Sequence, residues 1–426
     1  MTRPAERLLE LDVTGYANGG SGIARSAGRV VFVDGALPGE RVVAQITDDS
    51  HAAYAKAVVH RVLEPSAHRV EPGCRAAAAG AGCCDLSFVA PDFARSLGAQ
   101  ALADVLRRIG GFDFDDLAQP EIEALGDSST GWRIRTRLAV DRAGRAGLRG
   151  RRSAQIVTEP CAAPVTGLLD GVDDLGARPG TEIVLMADAD GGRHAGELAA
   201  AGDGRDGRGG PGRRRAQRSR GARSAPRALR PLDGADSVTH RVGDREWRIR
   251  VTGFWQAHRD APRVYSMAAL EMLADVGVHG RVHVWDLYGG AGVFSAALLD
   301  GGAEHGFEVS SIDLVDTDPG ALAAARETLA SDPVHAHRGG VAESIAGLRA
   351  PQVVVSDPPR AGAGLHVVDA IAAARPDAVV HVGCDAASFA RDLGRFATHG
   401  YRVRGWRGFD AFPMTHHIEA IAVLTL

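Results

Sequence analysis

The stretch "AVVHVGCDAASFARDL" (378–393) reads as a buried strand running straight into a helix, with Cys384 at the junction. Open parallel sheets bind their ligands at strand ends, and a thiol at a helix N-terminus has an accessible thiolate near neutral pH. A packed thiol behaving as a small hydrophobe is the competing interpretation. The neighbouring strand ends bear on the choice. "VWDLYGGAGVFS" (284–295) sets a glycine turn between a strand and a helix, where a ligand can approach the backbone and free amides. Asp316, in "DLVDTDPG", closes the next strand, where a carboxylate can accept two ribose hydroxyls. It fits equally a helix cap before Pro319. "VVVSDPPRAG" brings Asp357, two prolines and Arg360 to another strand end, and the prolines fix a rigid, extended turn. Gly, Asp and Asp-Pro-Pro at three successive strand ends describe a crevice.

The elements that position these residues follow from texture. From about residue 265 onward, predicted strands alternate with helices, which argues for a doubly wound α/β sheet. Residues 8–63 carry short alternating apolar runs separated by turns, the pattern of a small β-barrel. Their glycine-rich turn, GYANGGSGIAR, suits a loop approaching a phosphate or a plain hairpin tip. Residues 92–109 have helical periodicity. Residues 131–159 return to strands with many arginines, either a phosphate-binding face or a solvated one. Residues 200–231 are Arg/Gly-rich, low in complexity and unable to fold alone, and read as an inert insertion in preference to a tethered basic tail that helps hold nucleic acid. A chain of 426 residues calls for two or three domains. The divisions expected are 1–63 (barrel), 64–250 (central, β-rich) and 251–426 (α/β). No apolar run is long enough for a membrane span, and five cysteines do not make a secreted disulfide framework, so a cytoplasmic protein is expected. A net charge of −4 excludes neither RNA nor small substrates.

Taken in order, FWQ (254–256), DLYGGAGVFS, VDTDPGALAAAR, DPPRAG, GCDAASFARDL and FDAFPMTHHIEAIAVL resemble the S-adenosylmethionine-dependent RNA uracil-5-methyltransferase family. Residues 8–63 look like its TRAM domain, an RNA-binding β-barrel. The resemblance covers most of the chain outside 200–231, and it implies a Rossmann-like methyltransferase domain. By position it assigns Gln256, Tyr288, Asp316 and Asp357 to the S-adenosylmethionine pocket, Cys384 to the nucleophile and Glu419 to the base. The chemistry requires both of the last two. A thiolate adding to carbon 6 of uracil makes carbon 5 nucleophilic, and a carboxylate must later remove the carbon-5 proton. The implied partner is structured RNA, transfer or large-subunit ribosomal, with the protein acting as a monomer.

This chain departs from the family's pattern in places. Gly383-Cys384-Asp385-Ala386 stands where Ser-Cys-Asn-Pro is usual, and Asp385 is expected to raise the thiol pKa by charge repulsion. Gly289 and Val293 replace a usual Cys and Asn. Many relatives hold an iron–sulfur cluster, and Cys74, Cys83, Cys84 and Cys161 are the corresponding thiols here, although Cys83 and Cys84 are adjacent. Either a distorted cluster or a relic with three ligands fits that spacing. His416 and His417 are expected to shape the loop before Glu419 rather than bind metal. The alternatives are an amino-methyltransferase built on DPPR, which needs no cysteine, an RNA-binding protein with a decayed catalytic half, and, on the glycine turn alone, a nicotinamide oxidoreductase.

Overall fold

A computed structural model describes residues 7–114, 118–151, 153–199 and 228–426. Strands β1 (Leu8–Ala17), β2 (Ser21–Ser26), β3 (Arg29–Asp34), β4 (Arg41–Asp48) and β5 (Tyr54–Glu64) close into a barrel in the order β1-β2-β3-β5-β4. Alternation along each strand turns Leu11, Val13, Ala24, Val31, Val33, Val42, Ala44 and Ala57 into its interior. After the barrel come the short helix α1 (Arg75–Ala78), which begins just after Cys74, and α2 (Pro91–Val105), opened by a proline at its first turn. A π-helical turn continues α2 to Gly110, matching the periodicity expected over 92–109.

A six-stranded sheet follows, built from β7 (Arg135–Val140), β8 (Ala146–Arg149), β9 (Ile156–Val157), β10 (Glu182–Ala187), β11 (Arg193–Leu198) and β12 (Leu229–Asp233). Its order is β12-β11-β10-β7-β8-β9. Strand β12 corrects the expected insertion. Residues 200–227 lie outside the described residues, but Leu229, Arg230 and Pro231 pair with β11. Arg230 and Arg178 hold the buried Glu197 carboxylate at 2.7 and 2.8 Å. Those hydrogen bonds, Arg230's foremost, keep Glu197 down at about 2. The basic strand face is partly spent internally: Arg137 and Arg149 pair with Glu182, and Arg151 with Asp34 of the barrel. A hairpin of β13 (Ser237–Val242) and β14 (Arg245–Arg250) completes this region.

The C-terminal region contains α3 (Ala261–Asp275), β15 (Gly280–Leu287), α4 (Val293–Gly301), β16 (Phe307–Asp316), α5 (Pro319–Thr328), β17 (Val334–Arg338) and α6 (Val341–Ser344). It continues with β18 (Val353–Ser356), α7 (Leu365–Ala374), β19 (Ala378–Gly383), α8 (Ala386–Thr398), β20 (Arg402–Asp410) and β21 (Glu419–Thr425). The sheet order is β17-β16-β15-β18-β19-β21-β20-β6, where β6 is Ile122–Ala124. The five strands from β17 to β19 are parallel, and β21 enters antiparallel between β19 and β20. Alternate residues feed two cores, one on each face. Trp285, Val354 and Val379 meet α2 and α8 on one side; Val284, Val355 and Val380 meet α3 on the other.

Contacts cross the division expected at residue 250. Helix α2 covers one face of the C-terminal sheet, and β6 forms its edge by pairing with β20. The central sheet also shares a core with the C-terminal region, where Trp247 and Trp255 pack with Ala291, Ala324 and Leu329. Among the described residues, no helix is long and apolar enough to cross a membrane.

Candidate active site

The parallel strands deliver their C-terminal ends to one edge of the sheet, and Tyr288, Asp316, Asp357, Cys384 and Glu419 lie at strand ends along it. Tyr288 follows β15 with φ +60°, a left-handed conformation uncommon for a side chain of its size. The glycine turn after it is pinned three ways. Gly289 N donates to Val315 O at 3.2 Å, Gly290 N donates to Asp316 Oδ2 at 3.1 Å, and Trp247 Nε1 donates to Ala291 O at 2.8 Å. Gly289 has no room for a side chain, since a Cβ there would lie 2.7 Å from Asp286 Cγ. The close approach of turn and carboxylate explains why glycine stands at this position. Trp255 stacks on His240 with ring centroids 4.6 Å apart and shares its core with Ala291, so the loop bearing Gln256 runs beside the same turn.

Asp316 is not the helix cap. That position belongs to Asp318, whose side chain accepts from Gly320 N and Ala321 N at 2.8 and 2.9 Å. Asp316 instead accepts from Gly290 and Asp318 amides, holding turn and loop together. Asp286 was not singled out from the sequence, although a charge in an otherwise apolar strand is a readable signal. It is fully buried; Ser295 Oγ donates to its Oδ2 at 2.6 Å, and its Oδ1 has no partner. Burial pushes Asp286 up to about 6, and burial together with Asp286 and Asp316 pushes Asp357 up to about 7. Three mutually repelling carboxylates around a glycine turn favour a cationic ligand, and S-adenosylmethionine, with its sulfonium and ammonium groups, fits that requirement.

Cys384 and Glu419 are brought together by strand register. Gly383 pairs with Ala420 in the antiparallel β19–β21 ladder, so Cys384 stands opposite Glu419. Glu419 is buried. Burial first, and then Asp357, push its carboxyl well above the ordinary range, against the pull of Arg360. The thiol departs from the low pKa expected at a helix start. Burial, with the carboxylates of Glu419 and Asp357, pushes Cys384 up to about 12, and Arg360 opposes them. Asp385 is the N-cap of α8, its side chain accepting from Ser388 N at 3.0 Å. The loop after DPPR is held by Asp392, buried on α8, which accepts from Ala363 N at 2.7 Å.

The four remaining cysteines gather beside the loop that precedes Glu419, where Met414 packs against them. The sulfur atoms of Cys74, Cys84 and Cys161 lie within 4.8 Å of one another. Cys83 joins them: hydrogen bonds with Cys161 and Cys84 pull its thiol down, while those with Cys161, Cys74 and Cys83 push Cys84 up. Ala162 N points at Cys74 Sγ, 3.4 Å away, and Ala76, Ala81, Val157 and Met414 enclose the group. Three soft donors within reach of one another, with Cys83 beside them in an apolar shell, are of the donor type that iron–sulfur clusters use.

Residues 7–59 match the TRAM domain family. Over 98% of its length the chain is 41% identical to an uncharacterized RNA methyltransferase of Corynebacterium efficiens, covering 94% of that protein. It is 31% identical to the 23S rRNA (uracil(1939)-C(5))-methyltransferase RlmD of Halomonas elongata, covering 99% of this chain and 90% of that one. The fold is shared with the tRNA (uracil-54, C5)-methyltransferase of Pyrococcus abyssi, solved in complex with S-adenosyl-L-homocysteine. That match has a TM-score of 0.68 at 20% identity, over 97% of this chain and 100% of the other. A barrel of the TRAM type, a parallel sheet with its crevice, and full-length similarity to such enzymes agree: the chain belongs to the S-adenosylmethionine-dependent RNA uracil-5-methyltransferase family.

Proposed function

We propose that this enzyme methylates carbon 5 of a uridine in large-subunit ribosomal RNA through a covalent bond between Cys384 and carbon 6 of the base. The observation that carries the reading is the register that sets the Cys384 thiol opposite the buried Glu419 carboxyl at the crevice. Ribosomal RNA is favoured over transfer RNA because the full-length relative at 31% identity is named for 23S rRNA.

S-adenosylmethionine supplies the electrophilic methyl group, and Gln256, Tyr288, Asp316 and Asp357 are the residues proposed to hold it. The chain's own groups do the rest. Cys384 releases its proton to solvent and its sulfur bonds to carbon 6, so that the electron pair of the carbon 5–carbon 6 double bond becomes available at carbon 5. Once carbon 5 carries the methyl, Glu419 as carboxylate takes the remaining carbon-5 proton. The double bond re-forms, the carbon–sulfur bond breaks, and the thiolate is released.

The test maps 5-methyluridine by mass spectrometry in ribosomal and transfer RNA from a strain lacking the protein. The expected result is one uridine in 23S rRNA losing its methyl group, restored by the gene. A loss confined to transfer RNA would move the substrate to that class.

Cys74, Cys83, Cys84 and Cys161 are proposed to hold an iron–sulfur cluster, which would supply a redox-active or stabilising centre beside the catalytic loop. Protein purified without oxygen is expected to contain iron and to absorb broadly in the visible, with Cys161→Ser reducing both. Colourless, iron-free and active protein from such a preparation would end this assignment.

A further inference from the structure

The Cys384 thiol is faced by acidic groups from several elements. Glu419 lies at the head of β21 and Asp357 beyond β18, while Tyr265 of α3 keeps a buried hydroxyl in the same neighbourhood. Asp385 is occupied as the cap of α8. Arg360 is the cation that works against them, exposed on a loop tied to the residue after the thiol, since Ser388 Oγ reaches both Arg360 O at 2.9 Å and Asp385 O at 3.1 Å. What holds Arg360 in place therefore bears on the thiol.

Two contacts hold it. Ser388 Oγ donates to the Arg360 backbone oxygen at 2.9 Å, and Arg360 Nη2 lies 3.0 Å from His417 Nδ1. A guanidinium has donors only, so Nδ1 must accept and the ring proton sits on Nε2. Burial first, and then His416 and Arg360, push His417 down to about 4, which keeps that acceptor available at neutral pH. His417 is fixed in turn by its loop. Its N–H donates to Thr415 Oγ1 at 3.1 Å, and Thr415 Oγ1 donates to Phe412 O at 2.7 Å.

The loop is clamped from outside the C-terminal sheet. His416 meets Asp85 twice, from its backbone N–H at 3.2 Å and its Nδ1 at 2.5 Å. Leu86 N donates to the backbone oxygen of Met414 at 2.9 Å, and Met414 has φ +65°. The barrel's hairpin tip closes over the pair. Gly20, at φ +87°, leaves a Cβ only 2.9 Å from Asp85 Oδ2 and 3.0 Å from His416 Cβ.

We propose that His417 is a positioning residue that aims the Arg360 guanidinium at Cys384, and that the Asp85–His416 clamp sets where His417 stands. The proposal deepens the reading of Cys384 as the nucleophile and rests on it for its catalytic meaning. It assigns a task to the segment following Cys84, which reaches the active-site loop from 331 residues away. It also gives the barrel's glycine tip a structural partner at that loop.

The test is the pH profile of Cys384 alkylation by iodoacetamide in the full-length protein, read by mass spectrometry on the peptide carrying Cys384. Removing an opposite charge at close range raises a thiol's pKa by about one unit, so the rate at a fixed pH below it falls about tenfold. His417→Ala is expected to show that displacement, and Arg360→Ala the same one. The double variant should add nothing, because both changes remove one interaction. His417→Asn should restore the wild-type profile, since its Oδ1 occupies the place of Nδ1 and also accepts. Asp85→Ala should give a smaller displacement in the same direction. Melting temperature and S-adenosylmethionine affinity identify any variant that misfolds. A His417→Ala profile that superposes on wild type, or an Asn variant that folds and binds normally without restoring the profile, overturns the proposal. Alkylation reports the surroundings of the thiol whether or not it attacks uracil. Failure here is therefore separable from failure of the nucleophile assignment, which is read by methyl transfer in Cys384→Ala.

Discussion

Cys384→Ala protein is expected to lose RNA methylation by at least about 10³-fold while binding S-adenosylmethionine with near-normal affinity. The size of the loss follows from the chemistry. Carbon 5 of uracil is a weak nucleophile, and without addition at carbon 6 no other group at this edge makes it stronger. The retained affinity follows from the layout. The carboxylates around the glycine turn sit at the ends of β15, β16 and β18, and the thiol lies beyond β19. The thiol is half-buried rather than packed in the core, so truncating it leaves little cavity and a stable fold. Transfer of tritiated methyl to RNA, beside calorimetric titration of the cofactor, measures both quantities. Near wild-type transfer by this variant would exclude the covalent route and move an amino-methyltransferase mechanism to first place.

Much of this site was legible because it lies in short-range pattern. Period-two alternation over 8–63 is enough to announce the barrel, and a glycine turn between strand and helix is visible as a local string. Helix α2 was also visible, but not its place. Its packing on the C-terminal sheet, and the three-residue strand β6 beside it, depend on β20 nearly three hundred residues later. The state of the thiol was hidden for a similar reason. A helix start suggests a low pKa, whereas burial and then Glu419 raise it, and Glu419 faces Cys384 only because β21 inserts antiparallel next to β19. Aspartates 316 and 318 make the same point at close range. Both precede the proline, and only the backbone path shows that Asp318 caps while Asp316 holds Gly290. The Asp85–His416 contact leaves no local trace at all.

Glu419→Gln protein is expected to accumulate a covalent complex with its RNA. The thiol still adds and the methyl still arrives, but the carbon-5 proton has no acceptor and the carbon–sulfur bond cannot break. The substitution should not harm the fold. Glu419's folded pKa lies above its unfolded value, so the native state binds more protons and ionisation costs stability as pH rises above about 4.5. A neutral amide of the same shape removes that cost, and the variant should melt at or above the wild-type temperature at pH 8. The complex should migrate as a protein–RNA band on a denaturing gel, and only when S-adenosylmethionine is present or already bound. Digestion should leave a methylated uridine attached to the peptide that contains Cys384. The Cys384→Ala/Glu419→Gln double variant should give no band, which separates a trapped intermediate from tight binding. If Glu419→Gln turns over repeatedly at the wild-type rate and traps nothing, another group removes the proton. The opposition of Cys384 and Glu419 across the ladder would then be a matter of packing alone.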